Sequence, residues 1–169
     1  MKKRIFAIVM ALLLVFAVGC GTAKQEPEPE PSAYMANPFV DYETQADAEK
    51  AAGFSINILD GVDDAEPVVY RVNKSINMIE VIYAIGDEEA LRIRKALGTD
   101  PIDGDYNEYE SNVTEEIAGV DATLRGEEGC THVVTWTQKV GDADYSYALT
   151  SEAGFDDITV KMLIGAVKD

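Results

Sequence analysis

The sequence predicts an α+β domain: an antiparallel β-meander of about five to six strands, with a short N-terminal helix and a C-terminal helix packed on one face. Between residues 67 and 150, several short segments alternate apolar and polar residues, the pattern of half-buried antiparallel strands. An alanine-rich stretch at residues 44–53 has helix-capping residues at both ends. Residues 155–168 place two aspartates before a broad apolar arc, which is typical of a helix that covers a sheet.

The chain opens with the features of a secretory signal. Lys2, Lys3 and Arg4 precede an apolar run from Ile5 to Val18. A positively charged start, an apolar run and small residues after it form the usual signal pattern. The run is about 14 residues long, whereas a membrane-spanning helix needs roughly 20. It is therefore too short for a comfortable permanent span.

The segment AVGC, residues 17–20, resembles the lipobox of bacterial lipoproteins. In that family the cysteine thiol receives a diacylglyceryl group and the peptide bond before it is cut. The resemblance implies a lipoprotein signal peptide at residues 1–19, lipidation at Cys20, and a cell-membrane location facing outside the cytoplasm. Ala17 stands where the family more often has leucine, and an uncleaved signal anchor or a free secreted protein is the alternative.

Residues 20–36 are predicted to be the lipidated cysteine followed by a stalk. The segment KQEPEPEP alternates glutamate and proline. Each proline fixes its own φ and favours an extended residue before it, so the segment cannot be helical. Roughly 15 residues of polyproline II reach on the order of 45 Å. A single α+β domain, residues 37–169, is expected to follow.

The charge balance excludes one class of partner. Removal of the signal, which carries three basic residues and no acidic one, lowers the net charge from −17 to −20. Such a charge repels nucleic acid, so no nucleic-acid partner is expected. A cation, a metal ion or a basic protein surface would suit it, and so would simple solubility.

The first helix is predicted by its ends. Thr44 is a plausible N-cap, Asp47 lies in the first turn and Gly53 is the stop. Nine or so residues are not stably helical alone in water, so this helix must pack on another element.

The strand-like segments are PVVYRVN (67–73), MIEVIYAI (78–85), VDATLR (120–125), THVVTWTQ (131–138) and YSYALT (145–150). Turn-forming residues separate the first two and the last two, which predicts hairpins.

Residues 88–97 are ambiguous from their pattern. Asp87 would cap a helix that Gly98 ends, whereas a strand would place Leu91 and Ile93 opposite Arg92 and Arg94. For the last helix, Asp156 and Asp157 suit the N-terminus and Lys168 the end.

Four segments in order resemble an uncharacterised extracytoplasmic domain family of Gram-positive bacteria: NPFVDYETQADAEKAAGFSI, GDYNEYES, VDATLRGEEG and TWTQKVGDADYSYALT. The resemblance covers most of residues 37–168. Members are lipoproteins and the outer portions of membrane-anchored anti-sigma factors, and the domain has no known function. The resemblance implies a strand for residues 88–97 and carries over no catalytic residue. The cytoplasmic helical region of an anti-sigma factor is lacking here.

Few residues suggest catalysis. His132 is the sole histidine, and the alternation of its segment places it on the face of Val134 and Trp136 as a half-buried strand residue. Cys130 follows two glutamates, which disfavour a thiolate, so it is interpreted as structural. One histidine and one free cysteine cannot close a zinc site, and no phosphate-binding glycine motif is present.

Calcium is the one cofactor that the sequence suggests. Asp103, Asp105 and Asn107 alternate like the start of a calcium loop, but the full loop needs glycine at 108 and glutamate at 114. Glu108 and Thr114 stand there instead. A weaker calcium site of the extracellular type and a solvated acidic turn both fit this segment.

Two classes of function follow. The first is a non-catalytic binding or interaction module of the cell envelope, held on the membrane by its lipid and presenting a surface, or an apolar cavity, to a protein, peptide or small ligand. The second is an envelope enzyme whose acid–base pair comes from carboxylates such as Asp103 and Glu108. A calcium-binding surface domain is a variant. An exposed apolar patch would favour the first class.

Overall fold

Eight antiparallel strands in one sheet and two helices make up the fold in the computed structural model, which describes residues 37–169. The elements are β1 (Phe39–Tyr42), α1 (Gln45–Ala52), β2 (Glu66–Asn73), β3 (Met78–Ile85), β4 (Glu88–Leu97), β5 (Ser111–Ile117), β6 (Val120–Glu127), β7 (Cys130–Val140), β8 (Ala143–Phe155) and α2 (Asp157–Val167). The predicted signal peptide, Cys20 and the stalk lie outside the described residues. Within residues 37–169, no helix has the length and apolar character needed to cross a membrane.

The sheet has the strand order β1-β2-β3-β4-β8-β7-β6-β5. The prediction of about five to six strands in one meander is therefore corrected to eight strands in two meanders. Strands β1 to β4 form the first, β5 to β8 form the second in reverse order, and β4 pairs with β8 at the centre. This order obliges the connection from β4 to β5, residues 98–110, to pass across β8, β7 and β6.

The two strands missed by the sequence prediction are the two edges. Strand β1 has four residues, and β5, with the sequence SNVTEEI, is exposed along its middle. A period-two pattern arises only where one face of a strand is buried. An edge strand with little buried surface leaves no such pattern in its sequence.

The helix ends agree with the prediction. The Thr44 hydroxyl accepts a hydrogen bond from the Asp47 amide at 3.2 Å, and Gly53 ends α1 with φ of 85°. Asp156 caps α2 by accepting the Thr159 amide at 2.7 Å. These local hydrogen bonds satisfy amides that would otherwise lack a partner at the helix start.

Residues 88–97 form a strand, as the family resemblance implied. Leu91 and Ile93 are buried in the main core, while Arg92 and Arg94 point to the opposite face. Strand β3 supplies Glu80 opposite Arg94 in the ladder, so the alternation is matched across the pair. Cross-strand pairing with β3 and β8 therefore favours the strand over an isolated helix.

Both helices lie on one face of the sheet, here called the helix face. They contribute Ala48 from α1 and an apolar stripe from α2 to a single core. The sheet side of that core is a row of facing residues across β2, β3, β4, β8, β7 and β6: Tyr70, Val81, Ile93, Leu149, Val134 and Leu124. The predicted packing of the C-terminal helix on one face is confirmed.

A buried lysine, Lys95, forms an ion pair with Asp169 at the edge of the main core. The Lys95 side chain is 3% exposed, and its ammonium group forms an ion pair with the carboxylate of Asp169. The same carboxylate accepts the Tyr147 hydroxyl at 2.5 Å, and the Tyr145 ring centroid lies 4.6 Å from the ammonium. Burial and the Asp169 charge raise the pKa of Tyr147. The last residue thus neutralises a charge that would be costly to bury alone.

Candidate functional site

The β4–β5 connection, residues 98–110, covers part of the sheet face opposite the helices, here called the open face. We name it the crossing segment. Its apolar anchor is Ile102, which packs with Met78, Ala96 and Ala148 in a second, smaller core. The predicted calcium residues lie in this segment, so its attachment to the sheet determines where they are.

A buried carboxylate organises the open face beneath the crossing segment. Glu80 is fully buried, and the guanidinium groups of Arg71, Arg92 and Arg94 surround it. Arg94 Nε donates to Glu80 Oε2 at 2.5 Å, while Arg92 Nε lies 3.6 Å from the same oxygen. A buried carboxylate needs such partners because an isolated charge is strongly disfavoured in the interior.

Arg94 also ties the crossing segment to the sheet. Its Nη1 donates to the carbonyl of Ile102 at 2.8 Å and to the carbonyl of Asp103. Gly104 follows with φ of 63°, and a Cβ there would stand 2.6 Å from Arg94 Nη1. Glycine is therefore favoured both by the left-handed backbone and by the close approach of the guanidinium, which a Cβ would displace.

The three predicted calcium residues lie together but hydrogen-bond among themselves. Asp103 Oδ1 accepts the Asp105 amide at 2.9 Å and forms an ion pair with Arg125 at 2.6 Å. Asp105 in turn accepts the Asn107 amide at 2.9 Å and the Tyr109 hydroxyl at 3.0 Å. Within residues 37–169, no group of three or more histidine, cysteine, aspartate or glutamate side chains is placed to hold a metal ion. Calcium binding stays a prediction.

A cavity of about 480 Å³ opens on the open face beside these residues, and we call it the open-face cavity. Asp103 and Asp105 line this cavity. Glu108, which the sequence suggested as the acid–base partner of Asp103, is exposed and does not line it. The other titratable residues of the lining are Glu89, Arg92, Tyr109, Glu127, His132 and Glu152. The cavity is therefore predominantly acidic.

Arg92 is the cationic group of the open-face cavity. Burial lowers the pKa of its guanidinium, but the hydrogen bond to Glu89 at 2.7 Å and the charges of Glu80, Glu89 and Glu152 outweigh that effect and raise it. Its charge is thus matched by carboxylates of the protein itself.

His132 is half-buried as predicted, but the prediction that it shares a sheet face with Val134 and Trp136 is wrong. Val134 and Trp136 belong to the main core, but His132 lines the open-face cavity and stacks on Tyr109, with ring centroids 5.4 Å apart. The β7–β8 ladder is irregular between Thr131 and Val133, which breaks the alternation there. A bulge of this kind redirects a side chain, and its position is not visible in local periodicity.

Cys130 and His132 contact each other, although His132 lines the open-face cavity and Cys130 lines a second concave surface described below. Cys130 Sγ is 3.7 Å from His132 Nε2, and His132 Nδ1 lies 3.1 Å from the carbonyl oxygen of Ser151. Gly154 makes room for the thiol, because a Cβ there would stand 2.2 Å from Sγ. Both residues are half-buried and contact backbone carbonyl groups, Cys130 that of Ala153 and His132 that of Ser151; the structural role of Cys130 stays a prediction.

A second concave surface lies on the helix face, between α2 and the edge strand β5. This edge groove has a volume of about 470 Å³. Its apolar lining comes from Val113 and Ile117 of β5, Leu124 of β6 and Val160 of α2. Val113 is 45% exposed, so an apolar side chain of the edge strand β5 itself faces solvent.

The edge groove is also acidic. Glu115, Glu127, Glu128 and Asp157 line it, against a single basic residue, Lys161. Sequence reasoning missed this site because β5 carries no strand pattern and because α2 approaches it only in the folded chain.

Comparisons with models of protein families, with curated proteins and with solved structures gave no match. The two concave surfaces and the sequence are therefore the features that bear on function.

Proposed function

We propose that this chain is an extracytoplasmic lipoprotein, anchored in the cell membrane through Cys20, whose domain of residues 37–169 is a non-catalytic binding module. Its partner is another protein or peptide of the cell envelope. The signal features, the lipobox-like segment and the Glu-Pro stalk support the location. The observation that carries the binding role is the edge groove, where Val113 is exposed and Ile117 half-buried next to a strand edge that no other described strand pairs with.

The edge groove suits recognition because two kinds of contact are available in one place. Among residues 37–169, strand β5 pairs only with β6, so its outer backbone groups are available to bond an extended chain. Val113 and Ile117 supply apolar surface next to that edge. The open-face cavity offers less, because Asp103, Asp105 and Arg92 already bond to other groups of the protein.

A photo-crosslinking experiment tests the binding role. A photoreactive phenylalanine analogue replaces Val113 in the full chain, and the matched control places it at Val40 on the other edge strand. The two valines have similar exposure, 45% and 52%. We expect a discrete crosslinked product in intact cells from position 113 and none from position 40. Equal labelling from both positions, or no product from position 113, would contradict the proposal.

The anchor is tested separately. We expect Cys20→Ala to abolish incorporation of a labelled fatty acid and to release the protein or leave an unprocessed precursor. Lipid labelling that persists in this variant would overturn the assignment of Cys20.

Calcium binding by Asp103, Asp105 and Asn107 has its own test. A ligand that binds only the folded state raises the unfolding temperature with the logarithm of its concentration. A saturable rise that Asp105→Ala removes would establish the metal site, and no shift at millimolar calcium would return the segment to a structural role.

A further inference from the structure

We infer that the edge groove receives an extended polypeptide segment carrying basic side chains, which adds to the sheet along β5 as a ninth strand. This inference rests on the proposed binding role and names the chemistry of the partner.

The outer edge of β5 is regular. All seven residues of β5, from Ser111 to Ile117, pair with β6 without a bulge. The five central residues are exposed, so no other described element covers the outer side. Proteins commonly blunt a free edge with a bulge, a proline, a very short strand or charged side chains. Strand β5 has none of the first three, and its two charges, Glu115 and Glu116, discourage acidic or neutral strands but not basic ones. It presents a regular row of free backbone donors and acceptors, which is what strand addition requires.

Side chains beside that edge line a space that an added strand could fill. Alternate residues of β5, including Val113, Glu115 and Ile117, face the groove, and Val160 of α2 forms the opposite wall. A strand laid along β5 would direct every second side chain into this space. A volume of about 470 Å³ lies within the usual range for ligand sites, roughly 300–1,000 Å³.

The charge of the edge groove favours a basic partner. Four carboxylates line the groove against one lysine, and Glu116 adds a carboxylate on the other face of β5. An incoming strand therefore meets negative charge on both of its faces. Opposite charges directly across a strand pair stabilise the pair, and like charges destabilise it. Basic side chains in the partner satisfy this arrangement.

The same charges disfavour the two nearest alternatives. A second copy of this chain pairing edge to edge would bring Glu115 and Glu116 close to their own counterparts. The Glu-Pro segment of this chain, residues 26–31, is acidic as well, and its prolines lack the amide donors that a ladder needs. The occupant is thus a segment of a different protein.

The test uses the full chain, purified in detergent, and a short peptide that alternates lysine and valine, blocked at both ends and labelled with a neutral dye. We expect saturable binding by fluorescence anisotropy that weakens as salt is added. A peptide that alternates glutamate and valine should not bind. A lysine–valine peptide N-methylated at every residue should lose binding, because neither of its edges then has amide donors for β5.

Charge reversal locates the site. Glu115→Lys and Glu116→Lys should each weaken binding on the order of fivefold. The matched control is Asp41→Lys, which makes the same change of charge on the exposed β1 edge and should leave affinity unchanged. Hydrogen exchange of β5 amides should slow in the complex.

The outcomes separate the inference from the proposed function. If crosslinking at Val113 succeeds but the lysine–valine peptide does not bind, the binding role stands and the basic, extended partner is wrong. Equal effects of Asp41→Lys and Glu115→Lys would show attraction by net charge alone and would overturn the inference. Failure of both crosslinking and peptide binding overturns both proposals.

Discussion

Replacement of Glu80 by glutamine tests whether one buried carboxylate holds the open face together. Glu80 is fully buried, and Arg94, the most buried of its three arginine partners, has a side chain only 9% exposed. The glutamine keeps the shape but loses the charge, and its amide group would face the guanidinium donors. Arg94 cannot turn to water, because the carbonyl groups of Ile102 and Asp103 hold it in place.

The magnitude follows from that burial. Removing one partner of a buried ion pair costs about 3–5 kcal/mol because the remaining charge stays uncompensated. Arg71 and Arg92 are 21% and 25% exposed and regain some hydration, so we expect the lower end, about 3 kcal/mol. Urea slopes for small domains are about 1–3 kcal/mol per molar, so the unfolding midpoint should fall by about 1 M or more.

The control is Glu89→Gln, which makes the same chemical change on the neighbouring strand, at a carboxylate that also pairs with Arg92. Glu89 bonds Arg92 at 2.7 Å but is 44% exposed. Exposed ion pairs are worth about 0–1 kcal/mol, so this variant should unfold close to the wild type. If urea unfolding shows equal losses for Glu80→Gln and Glu89→Gln, the central role of the buried carboxylate is refuted.

Three further predictions concern stability. Asp169→Asn should cost roughly 3 kcal/mol in urea unfolding, because Lys95 keeps a buried charge without its counter-ion, and adding Lys95→Met should recover most of the loss. Burial raises the pKa of Tyr83 to about 12, so between about pH 10 and pH 12 the folded state keeps a proton that the unfolded state has released. The free energy of unfolding of the wild type should therefore fall across this pH range relative to that of Tyr83→Phe. Melting temperatures of both proteins, measured over the range, test this. Gly104→Ala should lower the urea midpoint, through its positive φ and the guanidinium beside it, whereas the same change at exposed Gly165 in α2 should not.

Local signals in the sequence predicted much of the fold. Thr44 and Gly53 bound α1, and Asp156 begins α2, because caps depend on hydrogen bonds between residues a few positions apart. The central strands were predicted because their burial on one face leaves alternation in the sequence. Edge strand β5 was missed because its side chains are mostly exposed on both faces, so its sequence does not alternate between apolar and polar residues.

The sites depended on tertiary structure to a greater degree. The acidic segment was recognisable from Asp103, Asp105 and Asn107, yet its pairing with Arg125 arises only once the crossing segment lies over the sheet. The reversed face of His132 follows from a bulge between β7 and β8. The edge groove exists because α2, from the end of the chain, packs beside β5 from its middle.

By itself the sequence determined the secretory signal pattern, the acidic charge, the helix ends and the alternating strands, since each of these depends on neighbours along the chain or on composition. Only the tertiary structure decided that β4 pairs with β8, that three arginines surround Glu80 and that β5 is an outermost strand of the described sheet. Those features depend on which distant strands pair, and strand pairing is selected by the packing of whole faces rather than by any short segment.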